Sequence, residues 1–89
     1  MARDHDTVIV AYVGRLANGI VFDQAKSFNF ELSAGDVIKG WDRGVAGMQV
    51  GGKRKLVCPP KFGYGKRGSK PDIPPNATLH FVVDLLKIM

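Results

Sequence analysis

Residues that commonly carry acid–base, nucleophilic or metal chemistry are few in this 89-residue sequence, and they are not spaced as catalytic groups usually are. The two histidines, His5 and His80, lie near opposite ends of the chain, and the single cysteine, Cys58, has no Cys or His at metal-ligand spacing. Gly63 and Gly65 are separated like part of a phosphate loop, but the prolines that follow prevent the helix such a loop needs. The sequence therefore predicts no metal and no cofactor.

Large apolar and aromatic side chains beside turns are the more conspicuous feature. Tyr12, Trp41 and Tyr64 combine an apolar body with a polar atom, which suits the wall of a binding pocket. Asp23 directly follows Phe22 and stands alone among apolar neighbours. It is either a turn residue bonded to its own backbone or a polar group in an apolar pocket. The other candidates are pocket or core residues: Phe28, Val37, Ile38, Ile73 and Phe81.

The elements that must position these side chains are short, because glycine and proline recur along the chain. Strands are predicted at Thr7–Val13, Ser27–Leu32, Lys53–Cys58 and Thr78–Ile88, with Ile20–Phe22 extended after an Asn18-Gly19 turn. In the last strand, alternation predicts one inward face: Leu79, Phe81, Val83 and Leu85. The segment 62–76, rich in glycine and proline, is predicted to be a long loop of functional importance.

One segment changes to a helical period. Val37, Trp41, Val45 and Met48 recur on a single helical face, and Asp36 is a plausible N-cap. Its glycines favour a short helix that the sheet approaches closely: Gly40, Gly44 and Gly47. These elements predict one α+β domain, in which four or five antiparallel strands pack on one short helix.

The charge distribution is uneven. The net charge is +5, and no acid occurs between Asp42 and Asp72, where several basic residues lie. This basic rim, residues 43–71, is either a solvated surface or a docking site for an acidic protein or nucleic acid. A lone cysteine favours a reducing compartment, and no apolar stretch approaches the roughly 20 residues needed to cross a membrane.

Four segments resemble the FKBP-type peptidyl-prolyl cis–trans isomerases. They are VIKGWDRGVAGMQVGGKRKL at 37–56, YGKRG at 64–68, IPPNATLHFVVDLLKI at 73–88, and the spaced pattern YVGRL, NG and FD across 12–23. The Lys-Arg after Tyr-Gly is most similar to the nuclear and nucleolar branch. The resemblance implies a curved antiparallel sheet, or half-barrel, wrapped around one short helix, with an apolar active site between them. It also implies that residues 1–89 form a single domain that lacks the family's first strand.

The resemblance also implies roles for individual residues. Trp41 would form the floor of the pocket, and six residues its walls: Tyr12, Phe22, Phe28, Val37, Ile38 and Phe81. Tyr64 would donate a hydrogen bond to a ligand carbonyl, Asp23 would face the ligand, and the Ile38 amide would anchor the carbonyl beside the prolyl ring. Ile73 falls on another rim position. The catalytic set would be Tyr12, Phe22, Asp23, Trp41, Tyr64 and Phe81; the ligand-binding set would be Phe28, Val37, Ile38 and Ile73.

The sequence departs from the family pattern at the pocket's edge. The segment after Asp23 is short, and Lys26 is the only candidate for the basic residue that usually pairs with the pocket carboxylate. Asp72 occupies a rim position where an apolar residue is common, and Ser69 occupies one where histidine is frequent. The last two changes are expected to alter substrate preference more than chemistry.

Three hypotheses follow. The first is a prolyl isomerase of the nucleus or cytoplasm that acts on proline-containing peptides and binds macrolides such as tacrolimus and rapamycin. The second is a non-catalytic module whose pocket or basic rim docks an acidic protein or nucleic acid. The third, an unrelated small β-barrel that binds single strands, is opposed by the tryptophan-bearing helix and the Ile-Pro-Pro loop.

Overall fold

Four antiparallel strands form one sheet that packs against a single short helix. The computed structural model describes all 89 residues. The elements in chain order are β1 (Thr7–Leu16), β2 (Val21–Glu31), α1 (Lys39–Val45), β3 (Lys53–Cys58), a 3₁₀ turn (Pro60–Phe62) and β4 (Leu79–Ile88). The strand order is β2-β1-β4-β3, so β1 and β4 are central. The predicted α+β architecture is confirmed.

The two extended segments predicted around residues 20–32 form the single long strand β2. The Asn18-Gly19 turn is confirmed: Gly19 has φ 89°, and the Leu16 N–H donates to the Ile20 carbonyl at 2.9 Å. Register shifts interrupt the β1–β2 ladder between Val10 and Tyr12 and the β1–β4 ladder between Ile9 and Val10. Such bulges bend strands, which helps the sheet to curve around the helix.

The inner face of the sheet carries the core, as the alternation in β4 predicts. Leu79, Phe81, Val83 and Leu85 are all buried, and they pack with Trp41 of the helix. Apolar burial of this kind contributes about 25 cal/mol per Å², so this face holds the short elements together.

The helix is shorter than predicted and begins later. It starts at Lys39, after an extended Ile38 with ψ 152°, so the prediction of Asp36 as N-cap was wrong. The Asp36 carboxylate instead accepts a hydrogen bond from the Glu31 N–H at 3.2 Å. Met48 is buried but lies beyond the helix end.

Packing holds this helix in place, because a seven-residue helix is not stable alone. The close approach predicted at the glycines is confirmed at Gly40 and Gly44, where a Cβ on Gly44 would lie 2.5 Å from Leu56 Cδ2 on β3. It was wrong for Gly47, which lies beyond the helix end and has open space at its Cβ position. The Arg54 guanidinium on β3 donates to the carbonyls of Gly44 at 2.8 Å and Ala46 at 3.1 Å. These bonds satisfy carbonyls that the end of a helix leaves unpaired.

The margins of the sheet differ in how they are covered. The outer edge of β3 pairs with no strand, and the absence of the family's first strand stays a prediction. The chain start packs nearby, where the Ala2 N–H donates to the Met48 carbonyl and the Gly47 N–H donates to the Ala2 carbonyl, both at 2.8 Å. The structure contains no helix long and apolar enough to span a membrane.

Candidate active site

A cavity of about 220 Å³ opens between the sheet and the start of α1. Its lining is mostly aromatic and aliphatic: Tyr12, Phe22, Asp23, Phe28, Asp36, Val37, Ile38, Trp41, Tyr64 and Phe81. The fold therefore brings together nine of the ten predicted site residues, from β1, β2, β4, the helix start and the long loop. The tenth, Ile73, lies in an adjoining cavity.

Trp41 packs among aromatic rings from β1, β2 and β4. Its ring centroid lies 4.6 Å from that of Tyr12, 5.3 Å from Phe81 and 5.6 Å from Phe30. Most of these rings meet edge to face, an arrangement that stabilises aromatic pairs. Trp41 is only 4% exposed, so the indole is almost fully buried in the fold. Its Nε1–H has no hydrogen-bond partner in the fold.

Asp23 is a pocket residue and not a turn residue. It lies within β2, opposite Gly14 of β1, and its Oδ2 accepts a hydrogen bond from the Tyr12 hydroxyl at 2.7 Å. Lys26 forms no ion pair with Asp23, because it borders the opposite face of the sheet. The expected basic partner of this carboxylate is therefore absent, and a tyrosine hydroxyl binds it instead.

Both pocket tyrosines keep their protons firmly. Burial, reinforced by the hydrogen bond to Asp23 and by its negative charge, raises the pKa of Tyr12 well above 10.0. Burial and then the charge of Asp23 raise the pKa of Tyr64 in the same direction. Each hydroxyl is therefore a hydrogen-bond donor at neutral pH.

We predict that neither tyrosine ionises below its ordinary pKa of 10.0 when the folded protein is titrated. A raised pKa favours the neutral form in the fold, so these groups stabilise the protein below pH 10.0 and lose that contribution as pH rises further. Tyrosinate absorbance measures this directly. Asp23→Asn should lower the Tyr12 midpoint, whereas Asp84→Asn on the outer face should not. A tyrosine that ionised below pH 10.0 in the folded protein would contradict the assignment.

Besides the buried Trp41 Nε1–H, the Ile38 N–H and the Tyr64 hydroxyl at the pocket margin are free to bind a ligand. The Ile38 N–H precedes the first helical residue and donates to no group in the fold. The Tyr64 hydroxyl is likewise unpaired, and its side chain is 43% exposed. The pocket thus presents an apolar interior with separate donors at its margin, which is the usual design of a site that orients a carbonyl.

Gly14 shapes the pocket although sequence reasoning did not select it. A Cβ at this position would lie 2.7 Å from Phe81 Cε1 and 2.8 Å from Phe22 Cζ, so only glycine lets both rings lie over β1. A glycine in the middle of a predicted strand is a known sign of such close approach. Asp36 was also missed as a lining residue, because the sequence favoured it as a helix cap.

Gly14→Ala is therefore expected to impair function more than stability. The added methyl must displace Phe22 or Phe81, and misplacement of about 1 Å in a site can cost about 100-fold in rate. We expect kcat/KM on the substrate proposed below to fall about 10-fold to 100-fold, with a smaller loss of stability from overpacking against the buried Phe81 ring. Unchanged kcat/KM would show that these two rings do not contact the substrate.

The remaining concavities and charged groups do not suggest other chemistry. A wider, open concavity of about 660 Å³ on the outer face of the sheet is bordered by Lys26, Lys53 and Asp84. No group of three or more His, Cys, Asp or Glu could hold a metal ion. Burial raises the pKa of the Cys58 thiol, so this residue is a poor nucleophile.

The basic rim is less uniform than the sequence suggested. The Arg54 side chain points toward the helix end, and the Lys53 Nζ lies 3.8 Å from the Asp84 Oδ1. Two cationic groups lie over the Phe62 ring: the Arg43 Cζ is 4.6 Å from the ring centroid and the Lys61 Nζ is 5.1 Å from it. The exposed basic residues left without an ion pair on the long loop are Lys66, Arg67 and Lys70.

The fold and the site together define a domain with an aromatic cavity between an antiparallel sheet and one short helix. The FKBP-type peptidyl-prolyl cis–trans isomerase family matches residues 1–86. The chain is 58% identical over 89 residues to FK506-binding protein 4 of Rhizopus delemar, covering 97% of this chain and 23% of that protein. It is 53% identical over 88 residues to the 39 kDa FK506-binding nuclear protein of Drosophila melanogaster, covering 94% and 25%.

A relative of more similar size gives the same result. The chain is 52% identical over 87 residues to FK506-binding protein 1A of Emericella nidulans, covering 93% of this chain and 81% of that protein. The chain therefore belongs to the FKBP-type peptidyl-prolyl cis–trans isomerase family. It spans about a quarter of the length of the larger relatives.

Proposed function

We propose that this chain catalyses cis–trans isomerisation of X–Pro peptide bonds in the Trp41 cavity. The observation that carries the proposal is an apolar, aromatic cavity with two unpaired donors at its margin and no nucleophile. A cavity without a nucleophile suits the reaction for which the family is named, because prolyl isomerisation breaks no covalent bond. Trp41 is proposed as the floor on which the prolyl ring packs.

The chemistry of the reaction explains why such a cavity is sufficient. Amide resonance creates a rotation barrier of about 20 kcal/mol. The twisted transition state has lost that resonance, so its C–O bond is less polar than in the planar ground state. An apolar cavity that excludes water stabilises the twisted state relative to the planar one. No metal, cofactor or covalent intermediate takes part in this scheme.

The lining residues act by holding the substrate. The walls proposed for the prolyl ring are Tyr12, Phe22, Phe28, Val37, Ile38 and Phe81. We assign the free Ile38 N–H and the Tyr64 hydroxyl to substrate carbonyls, since both remain donors at neutral pH. Asp23 fixes the Tyr12 ring through their 2.7 Å hydrogen bond and presents its second oxygen to the ligand. Fixed groups lower the entropy lost on reaching the transition state.

A protease-free peptide assay tests the proposal. A peptide enriched in the cis X–Pro isomer should relax to equilibrium faster when the folded domain is added, in proportion to its concentration. Val57→Ala provides a matched control, because this exposed residue lies on β3 outside the cavity and should not change the rate. No acceleration by the folded domain would contradict the proposed function.

We also propose that the same cavity binds macrolides such as tacrolimus and rapamycin; two relatives are named FK506-binding proteins, which supports this proposal. Trp41 is the only tryptophan, so its fluorescence reports on the pocket alone. Titration with rapamycin should give a saturable change that competes with a proline peptide. A linear or absent response would argue against macrolide binding.

A second candidate function is docking of an acidic protein or nucleic acid. It is favoured by the three exposed basic residues of the long loop that have no ion-pair partner: Lys66, Arg67 and Lys70. Such binding should weaken as salt rises.

We further propose a nuclear location, because several relatives are named nuclear proteins.

A further inference from the structure

The cavity that holds Trp41 continues into a second one of about 290 Å³. The two share Phe22, Asp23 and Tyr64, and the second adds three residues of the long loop: Ser69, Asp72 and Ile73. A peptide whose proline occupies the first cavity must extend out of it, and the second is a concave continuation. We propose that this second cavity is a subsite for a Lys or Arg side chain adjacent to the substrate proline.

The charge of the subsite supports a cationic occupant. Two carboxylates line it, and neither Asp23 nor Asp72 forms an ion pair in the fold. One oxygen of Asp23 accepts the Tyr12 hydrogen bond, which leaves the other available. A Lys or Arg carries an apolar stem that can lie on Phe22 and Ile73 and a head that can reach the carboxylates.

The long loop places Asp72 at this position and holds it there. Ser69 and Ile73 exchange two backbone hydrogen bonds, at 2.8 Å and 2.7 Å, which close a short loop around Asp72. Ile73 is only 5% exposed and anchors one end of this loop in the core. Gly68, with φ 67°, lets the chain pass so close to Pro74 that a Cβ would lie 2.6 Å from the Pro74 carbonyl oxygen. The carboxylate therefore belongs to a braced loop.

The expected effect is modest, because both carboxylates are exposed to solvent. Exposed ion pairs contribute about 0.2–1 kcal/mol, which corresponds to about 1.4-fold to fivefold in kcat/KM. Three basic residues of the same loop lie outside the subsite and do not line it: Lys66, Arg67 and Lys70. Their positive charges repel a Lys or Arg side chain and therefore reduce the preference. The preference should weaken at high salt, as expected for exposed charges.

The experiment compares two sets of proline peptides. In the first set the residue before proline is Arg, Leu or Glu, and in the second set the residue after proline is varied in the same way. We expect one set to show faster isomerisation with Arg than with Glu. Asp72→Asn should reduce the Arg-to-Leu ratio of kcat/KM about 1.4-fold to fivefold. Asp84→Asn, which removes an acid on the outer face, should leave that ratio unchanged.

The inference rests on the proposed isomerase function, and the outcomes separate the two. If the Leu peptides are accelerated but Asp72→Asn leaves the Arg-to-Leu ratio unchanged in both sets, the subsite is overturned and the isomerase stands. If none of the peptides is accelerated, both proposals are overturned together.

Discussion

Trp41→Ala should lower kcat/KM for X–Pro isomerisation about 100-fold or more. The indole lines the cavity and packs against four aromatic rings that line or support it. Its loss would admit water and remove the surface on which the prolyl ring packs, and about 1.36 kcal/mol of lost transition-state stabilisation costs tenfold. The same protease-free assay measures the effect, with circular dichroism to verify that the variant is folded.

The matched control for this prediction is Val45→Ala. Val45 is fully buried on the same helix but does not line the cavity, so its truncation should lower stability and leave kcat/KM near the wild-type value. Trp41→Phe provides a second variant in case the alanine variant unfolds, and we expect an intermediate rate from it. A Trp41→Ala protein that is folded and fully active would refute the assignment of the floor.

Phe30→Ala should have the largest effect on stability. Phe30 is 4% exposed, stacks on Phe28 with centroids 5.9 Å apart and supports Trp41 from below the cavity. Truncation of a buried phenylalanine costs about 3–5 kcal/mol, a large fraction of the 5–15 kcal/mol typical of a whole domain. The urea midpoint should fall by about 1 M or more.

Phe30→Leu is the control for this second prediction. It keeps most of the buried volume, so it should recover much of the stability. Because Phe30 does not line the cavity, the folded Leu variant should keep most of its activity. A Phe30→Ala midpoint equal to that of the wild type would mean that this side chain is not packed in solution as described.

Much of the fold could be predicted from local patterns. The alternation of Leu79, Phe81, Val83 and Leu85 predicted the inward face of β4, and the Asn18-Gly19 turn predicted the β1–β2 connection. These signals are local, because side chains alternate along a strand and a tight turn needs particular residues. The length of β2 could not be read in this way, since its first half is largely exposed and is held by pairing with β1.

The helix start shows how one side-chain hydrogen bond overrides an intrinsic capping preference. Asp36 has the side chain and position of an N-cap, yet its carboxylate bonds to the Glu31 N–H, and the helix begins three residues later. The sequence carries no mark of this alternative partner. The same hydrogen bond holds Asp36 at the cavity lining, so one contact between residues five positions apart explains both errors.

The candidate site could be named largely because of the family resemblance. Composition alone indicated an aromatic pocket but left Phe28, Val37 and Ile38 open between core and pocket. Ile73 was expected at the rim of the same pocket, whereas it lines the adjoining cavity, beside the hydrogen-bonded loop that it closes with Ser69. Depth and partition of a cavity depend on how loops pack, and a single sequence does not encode these properties in any local pattern.

The most direct test of the central claim is an NMR titration of the domain with a proline-containing peptide. Because the chain has one tryptophan, the Trp41 Nε1–H gives a single indole signal, and in the free protein this hydrogen has no partner. The account predicts that this signal shifts saturably while cis–trans exchange of the bound peptide accelerates, with one dissociation constant describing both. Accelerated exchange with no change at the Trp41 indole, or a saturable indole shift without acceleration, would contradict the claim that this cavity is where the X–Pro bond turns.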